Sequence, residues 1–248
     1  MIYDGPKLML LFSIILIMIS VAFFIYSVSA RSKEASGIKI MEMIIGAIES
    51  DDPNLNGHSL YVRRIALLLY DNLPVNYKLE IKRRDLEFAA LLIDVGRLGV
   101  PRDIIDNHGK LNREEKSVIS RHPEVAVKIL SPVKPFEKIA TWIKYQHERV
   151  DGKGKYKLAG DNIPIQSRIL AVADTFSAIT MSRTYRVPYN YDEALAELRM
   201  AAGHQLDEEI VGYFCNIPIK DIENALEEVK DQMKYFYDAK ITIDNRGE

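Results

Sequence analysis

The sequence predicts an all-α protein, in which a helical bundle follows one apolar N-terminal transmembrane helix. Two observations predict this class. Apolar residues recur at helical spacing from residue 36 to residue 237, and no convincing run of alternating apolar and polar residues indicates strands. The segment Leu8–Val28 also has 21 residues without a charge, a proline or a glycine. As a helix it would reach roughly 30 Å, which is enough for the apolar core of a bilayer.

The charges around this apolar segment predict its orientation. Arg31, Lys33 and Lys39 follow the segment, whereas Lys7 precedes it, so the positive-inside tendency places the C-terminal part in the cytoplasm. We therefore expect a single-pass, membrane-anchored protein. A cleaved signal peptide stays an alternative, because residues 28–30 resemble a cleavage site. The predicted division is an anchor at 1–30, a linker helix at 31–54, a helical domain at 55–238 and a polar tail at 239–248.

Composition limits the classes of function. The chain has 248 residues, of which 48% are hydrophobic, and a formal net charge of −2. This balance lacks the basic excess that usually accompanies binding to a nucleic-acid polymer. The single cysteine, Cys215, excludes an intrachain disulfide and a cysteine-built zinc site.

The first half of the chain has several helix signals. Ser36–Ser50 is amphipathic and is either a linker helix or the first packed helix of the domain. His58–Asn72 has apolar residues at helical spacing, and Arg84–Val95 is strongly apolar in its second half. Asn112 precedes Glu115 by three residues, which predicts a capping box at the start of a short helix.

The second half continues the helical pattern. Prolines in the first turn predict the starts of helices at Pro123–Leu130 and Pro135–Arg149. Irregular loops are expected at Gly99–Leu111 and Val150–Pro164. Apolar spacing predicts four further helices: Ile165–Met181, Tyr191–Ala202, Asp207–Cys215 and Ile219–Tyr237.

Five polar side chains can bind metals: His58, Asp94, His122, His147 and Asp174. Four of them lie in apolar contexts, and His122 lies at a helix start before Pro123. A buried carboxylate must be hydrogen-bonded, paired or bound to a cation. His147 follows Ile139 and Ile143 at steps of four, so it should continue a buried helical stripe. One such histidine is usually an ordinary core residue. Five together predict a common site, because helical bundles build metal sites from facing side chains.

These motifs, in this order, resemble the HD-GYP family of phosphodiesterases. The resemblance covers roughly residues 55–215. The matching motifs are an early His58, Asp94 of a His-Asp doublet, His122-Pro123, His147-Glu148 followed by Asp151-Gly152, and a final Asp174.

The resemblance implies an HD-domain helical bundle and a site for two or three metals, often iron or manganese. His58, Asp94, His122, His147 and Asp174 would be the metal ligands, with Asp94 bridging. The implied reaction is hydrolysis of cyclic di-GMP. The resemblance assigns Asp94 and Arg97 to catalysis. It also assigns nucleotide binding to the segment Arg183, Tyr185 and Arg186, where arginine suits phosphate through bidentate hydrogen bonds.

The chain departs from the family pattern at the metals. Ile93 stands where the doublet has its histidine, Gln146 replaces the first histidine of His-His-Glu, and Asn54 replaces an acid of the third metal. The Gly-Tyr-Pro signature reads Gly154-Lys155-Tyr156. Each of two metals therefore loses an imidazole, and we expect iron or manganese to be held partially or not at all.

These departures favour a degenerate, membrane-anchored module that binds a cyclic dinucleotide or a protein partner, with weak or no hydrolysis. An active metal-dependent phosphodiesterase with a rearranged site is the alternative, and a purely structural interaction domain is the third. In an empty site, Arg97 or Arg149 would pair with the acids. Arg149 and Asp151 are also candidates for pinning the loop that follows them.

Overall fold

The computed structural model describes residues 18–20, 36–52, 55–105, 112–181 and 188–244. The chain divides into two compact units, Met1–Met43 and Ile44–Glu248. In the first unit, residues 18–20 and 36–43 are helical. The predicted domain boundaries at residues 30, 54 and 238 stay predictions.

The regular elements of the second unit, within the described residues, are helices, which confirms the predicted all-α class. Three short 3-10 turns, at Val95–Gly99, Lys134–Phe136 and Gly160–Asn162, connect some of them. In chain order the helices are α1 (residues 44–49), α2 (His58–Asn72), α3 (Val75–Glu80), α4 (Arg83–Leu91), α5 (Arg102–Ile105), α6 (Arg113–Ile119), α7 (His122–Leu130), α8 (Glu137–Lys144), α9 (Ile165–Thr180), α10 (Tyr191–Ala201), α11 (Glu208–Phe214) and α12 (Ile219–Asp244).

The core is built around α2, which packs against both α4 and α9. Ile65 and Leu69 of α2, Leu86 of α4, and Ile169 and Val172 of α9 are fully buried. Each such side chain stabilises the fold by about 1.5–3 kcal/mol through removal of apolar surface from water. This packing fixes α2 and α9 side by side, and both helices contribute residues to the site described below.

Most predicted helices are present, with changed ends. His58–Asn72 is found as predicted. The capping box is also present: Glu115 N–H donates to Asn112 Oδ1 at 2.9 Å, and Asn112 N–H donates to Glu115 Oε2 at 2.7 Å. The short helices α3 and α5 were not predicted, because four to six residues do not establish a helical period. The last helix continues beyond Tyr237 to Asp244.

Two helices end earlier than predicted, and both ends matter for the site. Helix α4 stops at Leu91 and α8 stops at Lys144, so Asp94 and His147 lie in turns rather than in helices. After α4 the chain tightens into the 3-10 turn Val95–Gly99, in which Arg97 N–H donates to Asp94 C=O at 2.9 Å.

Gly96 brings this turn close to the start of α7. A Cβ atom at Gly96 would lie 1.8 Å from the carbonyl oxygen of His122, which is far inside van der Waals contact. Only a glycine lets the two backbones approach in this way. The contact places Asp94 and His122 next to each other.

The predicted membrane anchor is not supported. Among the described residues, no helix is both long enough and apolar enough to cross a bilayer. Of the predicted segment Leu8–Val28, only residues 18–20 are described, and the rest lies outside the described residues. The prediction of a single-pass protein, anchored by Leu8–Val28 with its domain in the cytoplasm, is therefore wrong, because the described chain lacks the spanning helix that it requires.

Candidate metal centre

Five side chains from separate parts of the chain form a closed ring of contacts, each shorter than 4 Å. His58 Nε2 lies 2.9 Å from Asp174 Oδ1 and 3.8 Å from Asp94 Oδ2. Asp94 Oδ1 lies 3.4 Å from His122 Nε2, whose distance to His147 Nε2 is 3.3 Å. His147 Nδ1 closes the ring at 3.9 Å from Asp174 Oδ2. The structure thus brings together the five residues that the sequence singles out as ligands.

His58 and Asp174 lie on neighbouring helices. His58 is the first residue of α2 and is buried, and Asp174 lies in the middle of α9. Ser177, one turn after Asp174, places its hydroxyl 3.0 Å from His58 Nδ1. This hydrogen bond to Nδ1 fixes the orientation of the His58 ring. Sequence reasoning missed Ser177, although its spacing of three from Asp174 puts both on one helix face.

His122 has its ring nitrogens arranged for ligation. Its Nδ1 lies 2.9 Å from the carbonyl oxygen of Ile119, to which it donates a hydrogen bond. This tautomer leaves the lone pair on Nε2, the nitrogen that faces Asp94 and His147. Burial lowers the pKa of His122, and the nearby His147 acts in the same direction while Asp94 opposes it. The imidazole is therefore neutral at pH 7, as a metal ligand must be.

His147 differs from the prediction. Because α8 ends at Lys144, His147 does not continue the buried stripe of Ile139 and Ile143. It lies in the following turn, and its side chain is 49% exposed. His147 is therefore the ring member that solvent and solutes reach most easily.

The side-chain amide of Gln146 contacts the imidazoles of both His122 and His147. Its Nε2 lies 3.2 Å from His122 Nε2, 3.3 Å from His147 Nε2 and 3.4 Å from the carbonyl oxygen of Ile93. Gln146 is only 1% exposed, and its Oε1 is buried without a hydrogen-bond partner. A buried unsatisfied amide oxygen is costly.

The arginines that could neutralise the acids have other carboxylate partners. Arg97 pairs with Asp52 at 2.9 Å, and Arg149 pairs with Asp151 at 2.7 Å. Neither arginine therefore pairs with Asp94 or Asp174, as an empty, charge-balanced site would require. The two carboxylates of the ring, Asp94 and Asp174, contact its histidines instead.

The loop after His147 is fixed by carboxylates. Arg149 and Asp151 form a bidentate pair, as expected for residues that pin the loop, and this pair lowers the pKa of Asp151 to about 2. The buried Glu148 accepts hydrogen bonds from the backbone N–H groups of Tyr156 and Leu158, each at 2.8 Å. Glu148, the residue after His147, therefore holds the loop in place through the loop's backbone.

Glu49 is a buried acid that sequence reasoning missed. Its two carboxylate oxygens accept from Ser59 N–H at 3.1 and 3.2 Å, at the N-terminus of α2. Burial raises the pKa of Glu49 to about 7, although Ser59 and the charge of His58 act in the opposite direction. Glu49 holds the helix that carries His58, and no sequence signal links the two.

The raised pKa of Glu49 predicts a dependence of stability on pH. In metal-free protein, the folded state binds a proton at Glu49 more tightly than the unfolded state does. The stability from Glu49 is therefore complete below pH 4.5 and is lost as pH rises through about 7. We expect a loss on the order of 3 kcal/mol. Chemical denaturation between pH 4 and pH 8 should show a smaller fall for Glu49→Gln than for wild type; equal falls would assign the effect to another group.

Three residues of the predicted site, and one departure from the family pattern, lie outside the described residues. Arg183, Tyr185 and Arg186, predicted to bind nucleotide, lie outside the described residues, as does Asn54. Their roles stay predictions.

The donor set of the ring fits a metal by its chemistry. Three imidazoles and two carboxylates suit iron, manganese and similar ions. Donors about 2.1 Å from one octahedral ion lie about 3 Å from each other, close to the shorter contacts in the ring. Within the described part of the chain, no group of three or more His, Cys, Asp or Glu side chains has, as it stands, the geometry to hold a metal ion. The donors bond to one another instead.

Comparisons with known proteins agree with the motif order. The profile of the family described as "HD domain" matches residues 42–210. A 3'3'-cGAMP-specific phosphodiesterase 3 from Vibrio cholerae is 31% identical over 77% of this chain and 40% of its own length. The cyclic di-GMP phosphodiesterase response regulator RpfG from Xanthomonas campestris is 33% identical over 66% of this chain and 44% of its own length. The chain thus spans less than half of these two relatives.

Solved structures share the fold. The HDG"Y"P protein Bd1817 from Bdellovibrio bacteriovorus aligns with a TM-score of 0.52 and 17% identity, over 66% of this chain and 52% of its own. The cyclic GMP-AMP phosphodiesterase V-cGAP3 from V. cholerae aligns with a TM-score of 0.52 and 20% identity, over 79% and 53%. At these identities the likeness concerns the fold alone.

Proposed function

Since the chain belongs to the HD-GYP family of HD domains, we propose that it is a metal-dependent phosphodiesterase that hydrolyses a cyclic dinucleotide. The observation that supports this proposal most is the closed ring of His58, Asp94, His122, His147 and Asp174. The names of the relatives, which act on cyclic di-GMP or 3'3'-cGAMP, support the class of substrate.

The proposed ligands divide into two sets. His58, Asp94 and Asp174 would hold one metal, and Asp94, His122 and His147 would hold the other. When bound, the metals would lower the pKa of the attacking water and stabilise charge on the phosphoryl oxygens. Iron and manganese both suit this donor set.

The chain's own groups prepare the site for this chemistry. Ser177 holds the ring of His58, and the Ile119 carbonyl keeps the lone pair of His122 on Nε2. The half-exposed His147 marks the side from which a substrate approaches. Arg97, paired with Asp52, lines a cavity that Asp94 also lines, so its guanidinium lies beside the proposed ligand.

A second candidate is binding of a cyclic dinucleotide without hydrolysis, as the sequence analysis favours. The observations that favour it are the two lost imidazoles: Ile93 is buried and aliphatic, and Gln146 offers an amide. The mutual contacts of the five donors that remain support the first candidate.

The decisive experiment loads the purified full-length chain with Mn²⁺ or Fe²⁺. Metal content is measured by mass spectrometry, and cyclic di-GMP and 3'3'-cGAMP are followed by chromatography. We expect near-stoichiometric metal and a linear dinucleotide product that disappears when the metal is chelated. Binding without product supports the second candidate. If the protein neither binds the dinucleotides nor forms product, both candidate functions are contradicted.

A further inference from the structure

A basic surface continues outward from His122 and His147. An open cavity of about 510 Å³ is lined by both histidines together with Lys116 and Lys155. A second cavity, of about 540 Å³, shares Lys155 and adds Arg121, Lys128 and Lys144. Volumes of this size are typical of small-molecule sites.

The charge balance of this surface favours an anion. Among the described residues that line the two cavities, five are lysine or arginine and one, Glu124, is an acid. The whole chain has a net charge of −2, so this concentration of positive charge is local. Such a cluster attracts anionic ligands.

Lys155 links the two cavities and is held in place. Its ammonium donates to Glu124 Oε1, and the Tyr156 hydroxyl donates to the same oxygen. Lys144 lies 4.7 Å from the centre of the Tyr156 ring. The Lys155 side chain is nevertheless 54% exposed, so it can exchange Glu124 for a ligand.

We propose that Lys155, together with Lys116, binds the second phosphate of a cyclic dinucleotide while the first phosphate lies at the five-residue ring. This inference rests on the proposed function and adds a residue that selects substrates with two phosphates. We assign this role to Lys155 and not to the nearby Lys153. Lys153 lies 3.9 Å from Asp151 and does not line either cavity.

The test compares substrates with one and two phosphodiesters. In the full-length protein loaded with Mn²⁺, Lys155→Ala should weaken cyclic di-GMP binding about tenfold, since it removes a charge-assisted hydrogen bond. Lys155→Arg should retain most of the affinity. Hydrolysis of bis(p-nitrophenyl) phosphate, which has one phosphodiester, should fall less than cyclic di-GMP binding does. Lys153→Ala, on the same loop, should bind cyclic di-GMP as wild type does.

The outcomes separate the two proposals. Unchanged cyclic di-GMP binding by Lys155→Ala overturns the inference and leaves the proposed function standing. An equal loss for both substrates also overturns the inference, because Lys155 would then act on the metal centre. Failure of the wild type to bind or cleave any of these phosphodiesters overturns the proposed function, and the inference with it.

Discussion

Asp94→Asn is expected to remove the metal and reduce hydrolysis of cyclic di-GMP to the background rate. The two oxygens of Asp94 face different histidines, with Oδ2 3.8 Å from His58 and Oδ1 3.4 Å from His122. Asparagine replaces one oxygen with an N–H donor and removes the negative charge, so it cannot bridge two cations. Loss of an outer partner already costs 10–100-fold in metal affinity, so we expect a loss of more than about 100-fold here.

The matched control for Asp94→Asn is Asp161→Asn. Asp161 is 96% exposed, and its partner Arg168 also pairs with Asp207 at 2.6 Å, so this change leaves Arg168 with a carboxylate. Metal content is measured by mass spectrometry after dialysis, and hydrolysis is measured by chromatography. Retention of stoichiometric metal by Asp94→Asn would contradict the bridging role of Asp94.

Ile93→His combined with Gln146→His is expected to tighten metal binding by more than about 100-fold. Gln146 Nε2 already lies within 3.3 Å of both His122 and His147, so an imidazole there would join the ring directly. Ile93 precedes Asp94 and is 1% exposed, so its replacement also buries a polar ring. The gain of two direct ligands at about tenfold or more each sets the size of the effect.

Competition against a chelator of known affinity measures this gain. The single variants report each position separately, and chemical denaturation reports the cost of burying an imidazole at residue 93. If the double variant folds and binds metal no better than wild type, Ile93 and Gln146 do not stand at ligand positions.

The sequence allowed two of the ring members to be placed well. His58 and Asp174 lie in long helices, where spacing alone tells which residues share a face. Ser177 follows the same rule and could have been found from its distance to Asp174. In these helices, a local period and the apolar pattern contain the necessary information.

The other members depend on tertiary packing. Asp94 and His147 lie in turns after helices that end early, and no periodic pattern reports where a turn points. The pairing of Arg97 with Asp52 joins residues 45 positions apart, and that of Lys155 with Glu124 joins residues 31 apart. Such partners are chosen by the packing of the helices, which is why the arginines could be expected near the acids but not assigned.

From sequence alone, the departures at Ile93 and Gln146 predict a loss of metal affinity. The structure adds that the amide nitrogen of Gln146 contacts both His122 and His147, and that its amide oxygen is buried without a hydrogen-bond partner. Sequence alone could not show whether the five remaining donors still meet. Because these five donors do meet, hydrolysis has more support than binding without hydrolysis.

The close backbone approach at Gly96 makes the spacing of two proposed ligands depend on an uncharged residue. Any side chain at residue 96 would meet the carbonyl oxygen of His122, so the turn Val95–Gly99 would have to move away from α7. Asp94 lies directly before this turn, and its 3.4 Å contact with His122 Nε2 would lengthen as the turn moved. A methyl group at residue 96 would therefore weaken the centre without touching a donor atom.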